Sequence, residues 1–550
     1  MKKITLSLLI IFISCQISFS QKRINEVEKL AITAKVWGFL KYYHPQVASG
    51  KFDWDQQLID LLPKIKSAKS REELSQVYLS WLNQLGKVKI CKPCQKKTKN
   101  EYFNKNFDLS WIENKKLFSE ELSNRLRHIE NNRLLKKHYY VKYGLLGEAN
   151  PINENPFNDI GFPDVYHRLL GLFRYWNFIE YFYPNKYLTD QKWNAVLLEM
   201  IPKFLKVKRE DDYFLLIKEL VAKLDDSHAH VISKNNKGLN IFPYKVKNLD
   251  NNCVISGFHN EEIANQEGLL IGDIIFRVNN KDFNEEVKKS FKINSGSNLN
   301  SKLIYTYNYI ITSENYFADL VVLRGGDTIK KSVKLYDYKS LYLKFRPILK
   351  WKVIDGNIGY VNMMMLENED ILEMMNALKL SKGIIFDLRG YPKKTFLNLS
   401  RYLNLERKPF AKFTIPDISY PGKFSWKKAV NTFGKKNKDY YKGKVIILAD
   451  NQSLSLSEYA VMCLQTIDRA VTIGSQTAGA DGKNIGFEYL GGYRTSMTSQ
   501  GVFYPDGNQT QRIGIKIDIE VKPTIKGLID GRDEVLEKAI EIINSKTTKN

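Results

Sequence analysis

The chain has 550 residues, 43% apolar and 12% aromatic, which is too long for one hydrophobic core and calls for several domains of about 100 to 200 residues each. Its formal net charge is +24, from 84 basic and 60 acidic residues. The basic runs, such as Lys96-Lys97 and Lys435-Lys436, are short and scattered with no nucleic-acid-binding module, so the charge reads as a solvated surface and excludes nucleic acid as the expected partner.

Met1 to Ser20 open with Lys2 and Lys3, continue through the apolar run Ile4 to Ile13 and end in Ser18-Phe19-Ser20. This is the pattern of a secretory signal peptide cleaved after Ser20. Ile13-Ser14-Cys15 partly resembles the processing site of bacterial lipoproteins, with Phe12 where Leu is usual, which gives a lipid anchor on Cys15 as the alternative. The apolar run is short for a membrane span and no later segment approaches the required length. The expectation is an exported protein without a transmembrane segment, periplasmic or associated with the cell envelope. Cys91-Lys92-Pro93-Cys94 is the one close cysteine pair; lacking a second ligand pair at metal spacing, it reads as a local disulfide or two thiols rather than zinc. No metal or other cofactor is expected.

The next two segments, 21–130 and 131–235, read as a duplication at an offset of 139. Trp37-Gly38-Phe39-Leu40-Lys41-Tyr42-Tyr43-His44-Pro45 matches Trp176-Asn177-Phe178-Ile179-Glu180-Tyr181-Phe182-Tyr183-Pro184, and Trp54 and Pro63 fall onto Trp193 and Pro202. Apolar residues recur at helical spacing in both, so the aromatics are core rather than a carbohydrate platform. His44 corresponds to Tyr183, which argues against a catalytic role. Only the second copy ends in Leu224-Asp225-Asp226-Ser227-His228, which offers a base. The connection between the copies is basic, Asn-rich and punctuated by Pro151, Pro156 and Pro163.

Residues 236–345 change to short strands and turns. Val254-Ile255-Ser256-Gly257-Phe258, Glu261-Glu262-Ile263-Ala264 and Gly268-Leu269-Leu270-Ile271-Gly272-Asp273-Ile274-Ile275 resemble a PDZ domain, in which a peptide adds as an extra strand beside a helix.

In 346–546 strands and helices alternate: Ile358 to Met363, a helix over Glu369 to Leu380, Gly383 to Leu388, Val445 to Ala449, a helix after Ser455, and Val471 to Ile473. This is the signature of an α/β domain with a partly parallel sheet, whose sites lie at the carboxyl ends of strands. Ser455 stands where strand passes into helix, and free backbone N–H groups there can stabilise an oxyanion. It is the candidate nucleophile, with Ser453 and Ser457 as competitors that could simply cap the helix.

Taken in order, Leu224 to His230, Gly383 to Pro392, Gly474 to Ala480 and Gly514 to Val521 resemble the carboxyl-terminal processing proteases and the tricorn core peptidase. The resemblance is clearest between Leu224 and Glu534. It implies a multidomain α+β protein: two N-terminal helical repeats, a PDZ-like β-rich domain, and a C-terminal α/β (ClpP/crotonase-like) serine peptidase domain. It places the nucleophile three residues before Glu458, at Ser455. The processing proteases use a lysine base, but Ala480 occupies that position and Lys483 is displaced; the tricorn branch uses a Ser-His pair, which Ser227-His228 matches. His228 is therefore the expected general base, because an imidazole titrates near neutrality without special burial, and Ser227 its orienting partner. The glutamate that completes the tricorn set corresponds to Gln511, whose amide keeps a hydrogen bond and lacks the charge. Asp518 and Glu520, on one strand face, are substitutes if that face meets the site. The oxyanion hole combines the N–H groups of Gly390 and Leu456. Arg389 either grips a substrate carboxylate or pairs with a local acid, the second being preferred. The implied function is a tail-specific type of serine endopeptidase that cleaves polypeptides through an acyl-enzyme, with peptide presented by the PDZ-like domain. The rival is a non-catalytic peptide- or lipid-binding protein on the same fold, as the resembling retinoid-binding proteins illustrate; Gln511 and the missing lysine favour it, and Ser227-His228 with Ser455 opposes it.

Overall fold

The computed structural model describes residues 24–96, 100–233, 238–342 and 349–545; the expected signal peptide, residues 1–20, with Cys15 lies outside them. Helices α1 (Glu26–Tyr43), α2 (Trp54–Ser67) and α3 (Arg71–Gln84) have counterparts of nearly equal length in α4 (Val165–Phe182), α5 (Trp193–Lys206) and α6 (Glu210–Ala222). Asn25, Asp53 and Asp164 cap the starts of α1, α2 and α4 by accepting backbone N–H groups. Pro45 and Pro184 follow the ends of α1 and α4, where the residue before proline is pushed to extended backbone. In each set two tryptophans lock adjacent helices reciprocally. Trp37 Nε1 donates to Trp54 O at 3.0 Å and Trp54 Nε1 to Trp37 O at 3.1 Å; Trp176 and Trp193 exchange the same bonds at 3.0 Å each. Both indole N–H groups can thus be buried without an orphaned donor.

The two sets share one hydrophobic core. Helices α1 and α4 meet where Asn177 Nδ2 donates to Ala34 O at 2.9 Å, and a Cβ at Gly38 would stand 1.8 Å from the Asn177 side chain, so only glycine permits this approach. Cys91 and Cys94 are disulfide-linked. No metal-binding cluster and no helix long and apolar enough to cross a membrane occurs among the described residues.

Residues 244–334 form an antiparallel sheet of strands β1 (Tyr244–Leu249), β2 (Asn252–Phe258), β3 (Ile274–Val278), β4 (Phe317–Arg324) and β5 (Asp327–Lys334), in spatial order β5-β4-β3-β2-β1. Helix α7 (Leu299–Ile310) and its preceding loop lean from this domain onto the region described below.

The C-terminal domain is built on strands β6 (Trp351–Ile354), β7 (Ile358–Asn362), β8 (Gly383–Asp387), β9 (Lys444–Ala449), β10 (Ala470–Gly474) and β13 (Ile519–Glu520), in that spatial order. The β6 pairing is antiparallel and the other pairings are parallel. Alternation along β8 and β9 sends Ile384, Phe386, Val445 and Ile447 to one face, against helix α8 (Leu456–Leu464), and Ile385, Ile446 and Leu448 to the other, against helix α9 (Glu534–Asn544). Both faces are covered, which is why these strands read as continuous apolar runs. Between β10 and β13, strands β11 (Asn484–Tyr489) and β12 (Tyr493–Thr498) form a hairpin whose Ile485, Tyr489, Tyr493 and Met497 enter the core of the helical sets. The hairpin thereby holds the two ends of the site together.

Candidate active site

Strand β9 ends at Ala449, and six residues later Ser455 caps the start of α8 with φ 56° and ψ −111°. A β-carbon raises the energy of that left-handed backbone, so the turn stores strain at the residue whose hydroxyl it projects. Its two competitors are engaged elsewhere: Ser453 and Ser457 are fully buried, and both hydroxyls donate to Leu388 O, at 2.7 and 2.6 Å. They tie the exit of β8 to the turn. The same bonds hold Leu388, two residues before Gly390, against this turn, and neither Gly390 N–H nor Leu456 N–H has an acceptor among the described residues. Both donors are therefore free, that of Leu456 on the residue that follows Ser455.

Glu458, in the first turn of α8 and without solvent exposure, collects four donors. They are Ser455 N–H at 3.2 Å, the Thr477 hydroxyl at 2.6 Å, Gly479 N–H at 2.8 Å and Ala480 N–H at 3.1 Å. Burial pushes its carboxyl up to about 7, against these four bonds. The segment after β10 is thus fastened beneath the nucleophile turn, and Ala478 N–H completes the seam by donating to Ser453 O at 3.0 Å.

The histidine loop follows α6 and is held by the hairpin. Val231–Ile232 pairs with β12, and the Ser496 hydroxyl donates to His228 O at 2.6 Å. Asp226 is the anchor: it accepts Thr498 N–H at 2.7 Å, the Thr498 hydroxyl at 2.8 Å, His228 N–H at 3.1 Å and the Gln511 amide at 3.3 Å. His228 Nδ1 lies 2.8 Å from Thr498 Oγ1. Since the threonine proton goes to Asp226, Thr498 must accept, so Nδ1 carries the proton and Nε2 keeps its lone pair. Burial lowers the His228 pKa, opposed by Asp226 and aided by His230, so the ring is neutral at neutral pH. A base in this state titrates out as pH falls: the acid limb of kcat/KM is expected below the ordinary imidazole value of about 6.5, measurable on any cleaved peptide.

Two expected roles change. Ser227 does not orient His228: its hydroxyl donates to Ala478 O at 3.1 Å and accepts Ser297 N–H at 2.9 Å, so it joins the histidine loop to the segment under the nucleophile. Gln511 reaches Asp226 and Ser297 Oγ, each at 3.3 Å, rather than Ser227, and its Oε1 is buried without a partner. The orienting hydroxyl and carboxylate are Thr498 and Asp226. Asp518 and Glu520 lie away from the histidine; Asp518 accepts Thr472 N–H at 2.9 Å, and Glu520 pairs with Lys522 at 2.7 Å. Arg389 pairs with Asp387 at 2.6 Å and Asp533 at 2.8 Å, the local ion pair preferred from the sequence. Lys483 is ion-paired with Glu148, so Lys483→Ala is expected to leave kcat/KM within about twofold, a direct assay of the lysine-base alternative.

Ser455 and His228 come from segments 227 positions apart, and Ala478 links their neighbours: its N–H donates to Ser453 O and its carbonyl accepts the Ser227 hydroxyl. Tyr305 of α7 points the same way: its phenol, pushed up to about 12 by burial and then by Asp226 and Glu458, is within electrostatic reach of both halves. A cavity of about 420 Å³ is lined by Ser227, His228, Tyr305 and Leu454, the residue before Ser455.

The C-terminal domain is of a kind found in serine peptidases. Residues 357–521 match the model of peptidase family S41. Mature CPAF is similar in fold, with a TM-score of 0.54 at 13% identity over 70% of this chain and 99% of that one. The photosystem II D1 C-terminal processing protease, at 15% identity over 67% of this chain and 99% of its own, has a TM-score of 0.41, and a putative peptidase from Parabacteroides merdae, at 16% identity over 68% and 96%, one of 0.43. No curated protein sequence matches the chain.

Proposed function

We propose that the chain is an exported serine endopeptidase that cleaves polypeptides through an acyl-enzyme on Ser455, with His228 as general base. The observation that carries this reading is the strained Ser455 in the turn after a parallel strand, followed by the unpartnered Leu456 N–H. His228 Nε2 takes the Ser455 proton as Oγ attacks the peptide carbonyl, and the new oxyanion is held by Gly390 and Leu456 N–H. The imidazolium proton passes to the departing amine, and a water activated by the same nitrogen hydrolyses the ester. Thr498 and Asp226 stabilise the cation at one hydroxyl's remove.

The domain over 244–334 serves in this reading as a PDZ-like module that adds a substrate segment to its sheet. The helical sets act as two related repeats that brace the site, and the leader carries the protein to the periplasm or, through Cys15, to the envelope. The Gln511 amide, which favoured a non-catalytic binder, loses its force because Asp226 supplies a carboxylate to the histidine network.

Incubation of the purified mature chain with an unfolded model protein tests the reading. Fragmentation by the parent, and its loss in His228→Ala with unchanged circular dichroism, is expected; an inert parent across substrates and pH, with tight peptide or lipid binding retained, would make the protein a binder.

A further inference from the structure

The cavity beside His228 has a charge it does not balance. Lys218, on α6 two turns before the histidine loop, lines it together with His228, His230 and Tyr305, and no Asp or Glu does. Lys218 Nζ lies 3.8 Å from the centroid of the Tyr309 ring and has no carboxylate within ion-pair distance among the described residues. Its neighbour Glu219 is paired away, with Lys203 at 2.5 Å. Burial alone lowers the Lys218 pKa, to about 8, so the ammonium is desolvated and still largely protonated at neutral pH. In a chain with 24 excess positive charges most lysines sit in water at no cost. A half-buried one facing the reaction cavity without a counterion is different, since a partly desolvated cation is stabilised when an anion completes it.

We propose that Lys218 selects substrate by binding a carboxylate of the polypeptide, carried by an Asp or Glu side chain near the scissile bond or by the chain's own C-terminus. The proposal rests on the reading of Ser455 and His228 as nucleophile and base, whose cavity Lys218 shares. Leu454, Val221 and Ala222 give the cavity apolar walls, Asn294, Ser295 and Asn484 add polar groups without formal charge, and no Arg and no second Lys lines it, so Lys218 is the ammonium that a carboxylate entering there would meet.

Two pairs of peptides separate the sources of the carboxylate. In the first, Glu and Gln are exchanged near the cleaved bond in C-terminally amidated peptides; in the second, neutral peptides end in a free acid or an amide. The parent is expected to prefer the carboxylate member of at least one pair by about tenfold in kcat/KM, the effect of one charge-assisted contact. Lys218→Met is expected to bring that ratio to near one, and Lys218→Arg to keep most of it. The comparison of ratios within one variant is insensitive to a general loss of folded enzyme. Cleavage without preference in either pair, or a preference that survives Lys218→Met, overturns the proposal and leaves the peptidase reading intact. Failure of the parent to cleave any peptide or to react with a fluorophosphonate would overturn both.

Discussion

Ser455→Ala is expected to abolish hydrolysis, by about 10⁴-fold or more in kcat, with the fold intact. The size follows from the mechanism: no other hydroxyl can replace it, since Ser453 and Ser457 are buried and both donate to Leu388 O. Changing those two would loosen the turn rather than remove the nucleophile. The strain at Ser455 adds a second, opposite effect. With φ at 56° and ψ at −111°, the position favours glycine, so Ser455→Gly is expected to be as inactive as the alanine variant and yet more stable than the parent, by about 1 kcal/mol. Thermal unfolding of the three proteins reads this directly. A glycine variant that melts below the parent would mean that the turn is not strained for function.

Asp226→Asn is expected to lower kcat/KM by about 10²- to 10³-fold, more than a buried structural residue so placed would explain. The carboxylate accepts four donors, and an amide of the same shape offers one accepting oxygen and a nitrogen that can only donate. Some of those donors lose their partner, at about 1 to 3 kcal/mol for each one left unsatisfied, so a drop in melting temperature accompanies the loss of activity. The pH profile distinguishes catalysis from folding. Asp226 raises the His228 pKa against the burial that lowers it. Without the charge the imidazolium is less favoured, and the acid limb of kcat/KM moves to lower pH. A reduced rate with an unmoved limb would make Asp226 a loop anchor only. Thr498→Val, which breaks the link while keeping the shape, is the matching variant, and the two defects are expected to be less than additive.

Much of this site could be read from the chain itself, for reasons that particular residues make plain. The strand, turn and helix around Ser455 were legible because a buried strand, a polar turn and an apolar helix are contiguous, and a short-range pattern needs no tertiary information. The Trp37 and Trp54 pair repeats at Trp176 and Trp193 because each indole satisfies the other's backbone, a constraint that fixes residue type as well as burial. The support of His228 was not legible. Thr498 is an ordinary strand residue 270 positions from the histidine, and nothing local distinguishes its hydroxyl from any other on a sheet. Asp226 was in view within the Asp225-Asp226-Ser227-His228 run, but its role depends on the hairpin that folds over it. The resemblance to a Ser-His pair pointed to Ser227 as the partner, but its hydroxyl faces Ala478 and Ser297. Asp518 and Glu520 failed as substitutes for a similar reason, since β13 closes the far edge of the sheet beside β10.

Reaction of the mature chain with a fluorophosphonate, followed by intact mass and peptide mapping, tests most directly that this serine and histidine form one catalytic unit. A single adduct on Ser455, formed quickly by the parent and slowed by about 10²-fold or more in His228→Ala, is the predicted result. An adduct elsewhere, or a rate on Ser455 that His228→Ala leaves unchanged, would contradict it.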